Sequence, residues 1–288
     1  MTANGTTPET TGLMTTHATS APAVLKLGGR ALEGEGAFAT FAYELAHVRG
    51  PVVLVHGGGN EVSAWMTRLG LEPRFHDGRR VTDADTLSVA TAVLAGLANK
   101  RLVAALRAHD IDAVGIAALD GGLVECVPHR DAAALGLVGE VVGVAPALLH
   151  TLLAQGRLPV VASIGAYGSS LLNLNADDVA CALAAALGAR QLLLLSDTPG
   201  LKLGGAIVAS VTADEARALL AHPEVEGGMR PKLAAAADAV ARGAKSARIA
   251  QWEGTGSHAS LASLLDGGAA GTLIYPDPAA AGSRGGAA

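Results

Sequence analysis

Apolar residues follow one another along this chain in two rhythms. Compact runs such as "AVLKL" (Ala23–Leu27), "PVVLVH" (Pro51–His56), "LPVVASIG" (Leu158–Gly165), "QLLLLS" (Gln191–Ser196) and "SARIAQ" (Ser246–Gln251) show no polar alternation. Strands have this pattern when both faces of a parallel sheet are covered. Between them the spacing turns helical: Phe38, Phe41, Leu45 and Val48 recur through "FATFAYELAHVR", which closes a βαβ unit with the two flanking strands. The longest helical pattern runs through "TLSVATAVLAGLANKRLVAALRAH", with Thr82 and Asp85 expected to form a box-like N-cap.

From "DAVGIAALDGGLVECVPH" onward, Asp-Gly and Gly-Gly turns predict hairpins beside the parallel sheet. The segment "PALLHTLLAQG" reads as a helix and "AYGSSLLNLN" as a loop. A second alternating series follows: helices in "ADDVACALAAALG", "TADEARALLAH" and "MRPKLAAAADAVARG", with a loop "DTPGLKLGG" after the apolar run at Leu192. The fold class is therefore α/β with a mainly parallel open sheet. A soft boundary near Leu172, with no linker, divides residues 21–172 from 173–276 while leaving the two lobes on one continuous sheet. The Thr-rich start (1–20) and the Gly/Ala-rich end (277–288) are expected to be disordered tails, translation starting at Met1 or Met14.

Composition narrows the partners. Acidic residues number 26 against 21 basic ones, net charge −5, with no Lys/Arg-rich block, so neither nucleic acid nor a membrane surface is an expected partner. The start lacks a basic segment followed by an apolar centre, and no apolar run approaches the ~20 residues of a membrane span. The expected location is the cytoplasm. Cys126 and Cys181 stand far apart without CxxC or His-rich neighbours, which supports neither a disulfide framework nor a metal site.

The chemistry is concentrated in glycines. "KLGG" follows the first strand and "HGGG" the second, placing two bare-backbone turns at the carboxyl ends of strands in one sheet, where open α/β folds bind ligands. Backbone N–H groups there can approach an anion unhindered by a Cβ, and Lys26 adds a charge. GxxxxGK[ST] is absent, as are protein-kinase motifs. The dinucleotide fingerprint begins at Gly57 and Gly59 but lacks its third glycine, which disfavours a nicotinamide-dependent oxidoreductase.

"VLKLGG", "VLVHGGG", "GRRVTD", "LANKRLV", "LNLNADDVA", "LLLLSDTPGL" and "GGMRPKL" occur in the order and approximate spacing of the amino acid kinase family. Across roughly Ala21–Tyr275 the chain resembles that family, and looks most like its acetylglutamate kinases. The resemblance implies an αβα sandwich, an amino-terminal lobe for the acylated amino acid and a carboxy-terminal lobe for ATP with Mg²⁺ carried on its phosphates. It further implies transfer of the γ-phosphoryl group to the side-chain carboxylate of N-acetyl-L-glutamate, a step of arginine synthesis. Carried over by motif, Lys26 and Lys232 flank the phosphoryl group and Asp177 holds the two lysines. Gly28 and Gly29 would face the phosphoryl group, and Gly58, Gly59, Arg80 and Asn173 the substrate. Asp197, Gly200 and Lys202 would lie near the nucleoside. No dedicated metal site and no catalytic histidine are implied, His56 being read as a packed strand-end residue. Asn175 reads as a turn or cap residue. Where the family pattern has leucine, this chain has Arg79, which either points to solvent or answers a second carboxylate or a bulkier acyl group.

Other acceptors (N-succinylglutamate, N-acetylaminoadipate, a carrier-linked aminoadipate) and a catalytically silent amino-acid sensor remain alternatives. The Thr-rich tail lacks the apolar helix that links arginine-inhibited relatives into rings, so an arginine-insensitive homodimer joined through the first lobe is expected.

Overall fold

The structure is a computed structural model that describes residues 20–28, 36–252 and 259–278. Eight strands form the main sheet: β1 (Ala23–Leu27), β2 (Val52–His56), β5 (Ala113–Ala117), β8 (Leu158–Ala162), β11 (Gln191–Ser196), β14 (Ser210–Thr212), β15 (Ala247–Gln251) and β16 (Thr272–Tyr275). Their order is β14-β16-β15-β11-β1-β2-β8-β5, with every neighbour parallel except β15 and β16. Strands of both lobes thus share one sheet, with β1 and β11 side by side at the junction.

Strand alternation explains the two covering layers. Ala23, Leu25 and Leu27 of β1 point to one core with Phe41 and Leu45 of α1 (Ala37–Leu45). Leu102 and Leu106 of α4 (Asn99–Arg107) join that core, as do Leu261 and Leu264 of α10 (Leu261–Leu265). Val24 points the other way, into a core with Leu149 of α6 (Ala147–Ala154) and with α7 (Ala176–Ala186), α8 (Ala213–Leu219) and α9 (Met229–Arg242). Lys26 follows the same parity as Val24, which aims its ammonium group at the start of α7. The result is an αβα sandwich.

Several sequence expectations change here. The hairpins do not flank the main sheet: β6 (Val124–Pro128), β7 (Val138–Val144), β9 (Ile164–Tyr167) and β10 (Ser170–Leu174) build a separate sheet in the order β6-β7-β10-β9, while β5 joins the main sheet as its edge. The run "LPVVASIG" breaks at Ser163 into β8 and β9, and the expected loop "AYGSSLLNLN" is largely the β9/β10 hairpin. Finally, Thr82 caps nothing. Asp83 is the N-cap of α3 (Ala84–Thr91), accepting from Thr86 N–H at 2.9 Å, whereas Thr82 is fully buried and donates to Arg80 O. A buried hydroxyl bonded upstream cannot also reach the helix start.

The long helix is also irregular. Between α3 and α4, Ala92–Ala98 is a π-helical stretch, and the continuous 24-residue run Ala84–Arg107 contains an 18-residue window with mean hydropathy 1.4. By length and composition that run could cross a membrane, contrary to the expectation that none approaches this size. Here Leu87, Ala90, Val93, Leu94, Leu102 and Leu106 are buried within the fold. The short helices α2 (Gly59–Arg68) and α5 (Ala132–Leu135), the hairpin β3 (Phe75–His76)/β4 (Arg79–Arg80), and the hairpin β12 (Lys202–Leu203)/β13 (Ala206–Ile207) complete the described chain. Cys126 and Cys181 are free and buried. The proposed tails, apart from Ser20, Asp277 and Pro278, lie outside the described residues.

Candidate active site

A cleft of about 410 Å³ opens over the carboxyl ends of β1 and β2 and is lined by Lys26, Gly57, Gly58, Gly59, Arg80, Asn173, Asp177 and Lys232, among others. Elements remote in sequence converge because β10 runs straight into α7. Asn175 caps that helix, its Oδ1 accepting from the Asp177 and Asp178 N–H groups at 2.7 and 3.3 Å. Capping fixes the first turn, and the first turn holds Asp177 over the end of β1.

Asp177 is 6% exposed and sits between two ammonium groups. Lys26 Nζ lies 2.8 Å from its Oδ1 and Lys232 Nζ, from the first turns of α9, 3.8 Å from its Oδ2. Burial pushes the carboxyl upward, but Lys26 and Lys232 together outweigh it and hold the group below the usual carboxylate range. The three side chains thus form a cation–anion–cation bridge across the two lobes.

Arg80 is buried on the opposite wall. Its Nη2 donates to Gly59 O at 2.7 Å and Ser63 Oγ at 2.8 Å, its Nη1 approaches Met66 Sδ at 3.2 Å, and its guanidinium carbon lies 4.8 Å from the Phe75 ring centroid. No carboxylate of the described residues is within ion-pair distance of it. Desolvation lowers its basicity, so an arriving anion meets a cation with little water to displace. Asn173 donates to Thr82 Oγ1 at 3.1 Å, which orients its amide at the cleft wall.

Arg79 lines the cleft and is held there by an ion pair within this chain. Its Nη2 lies 3.0 Å from Asp178 Oδ2, which ties the β3/β4 hairpin to the helix that carries Asp177. Burial raises the Asp178 carboxyl, and Arg79 offsets part of that rise. Arg79→Leu should therefore raise it further, at a cost present above the carboxyl's folded-state pKa and lost as pH falls toward about 4. For this partly exposed pair, the expected loss is about 1 kcal/mol, or about 2–4 °C in Tm, at pH 7. Melting curves at pH 7 and pH 4 check it; an equal loss at both would mean the pair is not the cause.

Gly28 needs its bare backbone because a Cβ there would strike Leu195 O across the β1/β11 junction. Gly29 lies outside the described residues. Asp197, Gly200 and Lys202 do not line the cleft with Lys26; they occupy the segment after β11, Asp197 and Lys202 exposed and Gly200 buried. Gly200 has φ +148° and a Cβ would come within 2.7 Å of Thr272 Oγ1, which also accepts from Leu201 N–H. Sequence reasoning missed Ser63, Thr82, Ser163 and Asp178 as parts of this neighbourhood; only the "DG" turn between β3 and β4, with Asp77 and Gly78 both at positive φ, advertised the hairpin.

Comparison with known proteins identifies the family. A sequence model of the amino acid kinase family matches residues 22–251. The acetylglutamate kinase of Pectobacterium carotovorum is 44% identical over 88% of this chain and 98% of its own, and that of Acaryochloris marina 39% identical over 87% and 90%. The solved structure of smu.665 from Streptococcus mutans superposes with a TM-score of 0.74 at 27% identity, covering 89% of this chain and 99% of that one. With the αβα sheet, the glycine turn after β2 and the lysine–aspartate–lysine bridge in place, the match over residues 22–251 shows that the chain belongs to the amino acid kinase family.

Proposed function

We propose that the protein transfers the γ-phosphoryl group of ATP to the side-chain carboxylate of N-acetyl-L-glutamate, releasing ADP and N-acetyl-L-glutamyl 5-phosphate, a step of arginine biosynthesis. The observation that carries this reading is the Lys26–Asp177–Lys232 bridge facing a buried Arg80 that has no carboxylate partner among the described residues. A dianionic acceptor fits it: Arg80 and Asn173 hold the α-carboxylate end, while the side-chain carboxylate lies over the glycine turn.

The attacking carboxylate is already ionised at neutral pH, so no general base is required. One carboxylate oxygen forms a bond to the γ-phosphorus as the bond to the β,γ-bridging oxygen breaks. Charge migrates from acceptor to ADP, and the fixed donors oppose its build-up. Lys26 serves the acceptor side, Lys232 the leaving side, and Gly28, Gly29, Gly58 and Gly59 supply close backbone. Asp177 keeps the two lysines in register. The nucleoside is placed against Asp197, Gly200 and Lys202 of the second lobe.

Among the described residues no group of three or more His, Cys, Asp or Glu could hold a metal, and the cleft's buried carboxylate is already engaged by two lysines. Mg²⁺ therefore fits as a companion of the nucleotide, neutralising phosphate charge. A cytoplasmic homodimer joined through the first lobe is the assembly we infer.

Hydroxylamine trapping of the acyl phosphate tests the reading, with N-acetylglutamate, N-succinylglutamate and N-acetylaminoadipate compared. A strong signal with N-acetylglutamate is expected, falling about 10²–10³-fold in Lys232→Ala. Signal only with another acceptor would overturn the substrate, and an unaffected Lys232→Ala would overturn the mechanism.

A further inference from the structure

His56 ends β2 immediately before the glycine turn and is buried, with 2% of its surface exposed. Its two ring nitrogens have different partners. Nδ1 lies 2.9 Å from Gly57 O, which can only accept, so Nδ1 carries the proton. Nε2 lies 3.1 Å from Asn99 Nδ2. The amide of Asn99 is itself oriented, since its Nδ2 also donates to Val160 O at 3.0 Å and its Oδ1 accepts from Lys100 Nζ at 3.0 Å. Nε2 is therefore the bare acceptor.

The fold is bent to deliver this contact. Asn99 is fully buried and comes directly after the π-helical stretch Ala92–Ala98. That stretch shifts the helix register relative to regular α-winding. A Cβ at Gly115, on the neighbouring strand, would collide with Asn99 Oδ1.

The consequence falls on the glycine turn. In a trans peptide the carbonyl and the following N–H point in opposite directions. Fixing Gly57 C=O on the histidine side aims Gly58 N–H away from it. Gly58 has φ +156°, and a Cβ there would come within 2.9 Å of Leu94 Cδ2, so the conformation is reserved for glycine. Among the described residues no acceptor takes the Gly58 N–H, and Gly57, Gly58 and Gly59 line the cleft.

We propose that His56 is a positioning residue for phosphoryl transfer: with Nδ1–H on Gly57 O and Nε2 on Asn99, it turns the Gly57–Gly58 peptide so that the Gly58 N–H faces the reacting group. The proposal rests on the reading of this cleft as a phosphoryl-transfer site.

Two substitutions separate positioning from packing. In His56→Asn the amide nitrogen can take the place of Nδ1 and keep Gly57 O bonded, while the contact with Asn99 is lost. His56→Gln does the reverse. We expect His56→Asn to melt at a lower temperature yet keep kcat within about fivefold, and His56→Gln to melt near the wild type yet lose about 10²-fold in kcat, both with KM little changed. A kcat order that follows the melting order, or an unimpaired His56→Gln, would overturn the proposal. Nitrogen-15 NMR of the ligand-free wild type gives a readout independent of any substrate. It should show His56 protonated at Nδ1 and bare at Nε2, and the opposite tautomer would overturn the proposal. If the wild type phosphorylated no acceptor, the cleft's assigned function would fail while the tautomer still decided the geometry.

Discussion

Asp177→Asn should lower kcat by about 10²–10³-fold, the range of losses when a preorganised electrostatic partner is removed, with acceptor KM changing by no more than about threefold. The reason is geometric. Asp177 touches no reacting atom in the assigned mechanism; it cancels the repulsion between Lys26 and Lys232 and keeps both aimed into the cleft. Asparagine preserves the shape and the helix start but leaves two ammonium groups facing a neutral amide. Steady-state kinetics of the folded variant check this. An aspartate that merely complemented the α7 dipole would change stability by up to about 1 kcal/mol and leave kcat alone.

The same residue should leave a mark on acid stability. Its carboxyl is held below the unfolded value near 3.9, so its contribution is complete above about pH 4 and is lost as pH falls through the folded-state pKa. Wild type and Asp177→Asn should therefore differ by a constant amount in Tm from pH 6 to 8 and converge only in acid.

Arg80→Lys should raise acceptor KM by about 10- to 150-fold, from the loss of one charged hydrogen bond worth about 1.5–3 kcal/mol, with kcat nearly unchanged. Lysine keeps the charge but gives up the planar fork, which here also braces Gly59 O and Ser63 Oγ. KM for ATP should stay constant because Arg80 belongs to the acceptor wall. Equal rises for both substrates would instead indicate a collapsed cleft.

Lys26 and the glycine turns were legible from local chemistry, a lysine at a strand end and bare backbone where an anion must approach, whereas Asp177, Lys232 and Arg80 followed from the resemblance of their motifs to the amino acid kinase family. The main sheet was legible for a similar reason, since strands covered on both faces cannot hide their continuous apolar runs. What escaped depends on partners far away in sequence. Arg79 and Asp178 stand 99 positions apart, and nothing beside either residue predicts the pair. Thr82 looked like a cap because threonine favours that position, but burial redirected its hydroxyl to Arg80 O and left Asp83 to cap the helix. The β9/β10 hairpin was hidden by Ser and Gly, which are as common in loops as in a short turn between strands. The π-helical stretch carries no compositional signature, because Ala, Val and Leu suit either winding.

The β1/β11 pairing also has a consequence for how the molecule becomes active. Ala23 lies opposite Gln191, about 170 residues along the chain, and contacts of such long sequence separation close late in folding because the intervening loop entropy must be overcome first. Lys26 belongs to one partner strand, while Asp177 and Lys232 bracket the other in sequence. A nascent chain that has finished its first lobe therefore holds one of the three members of the charge bridge. The bridge is complete only once α9, which carries Lys232, has been made and docked against the sheet.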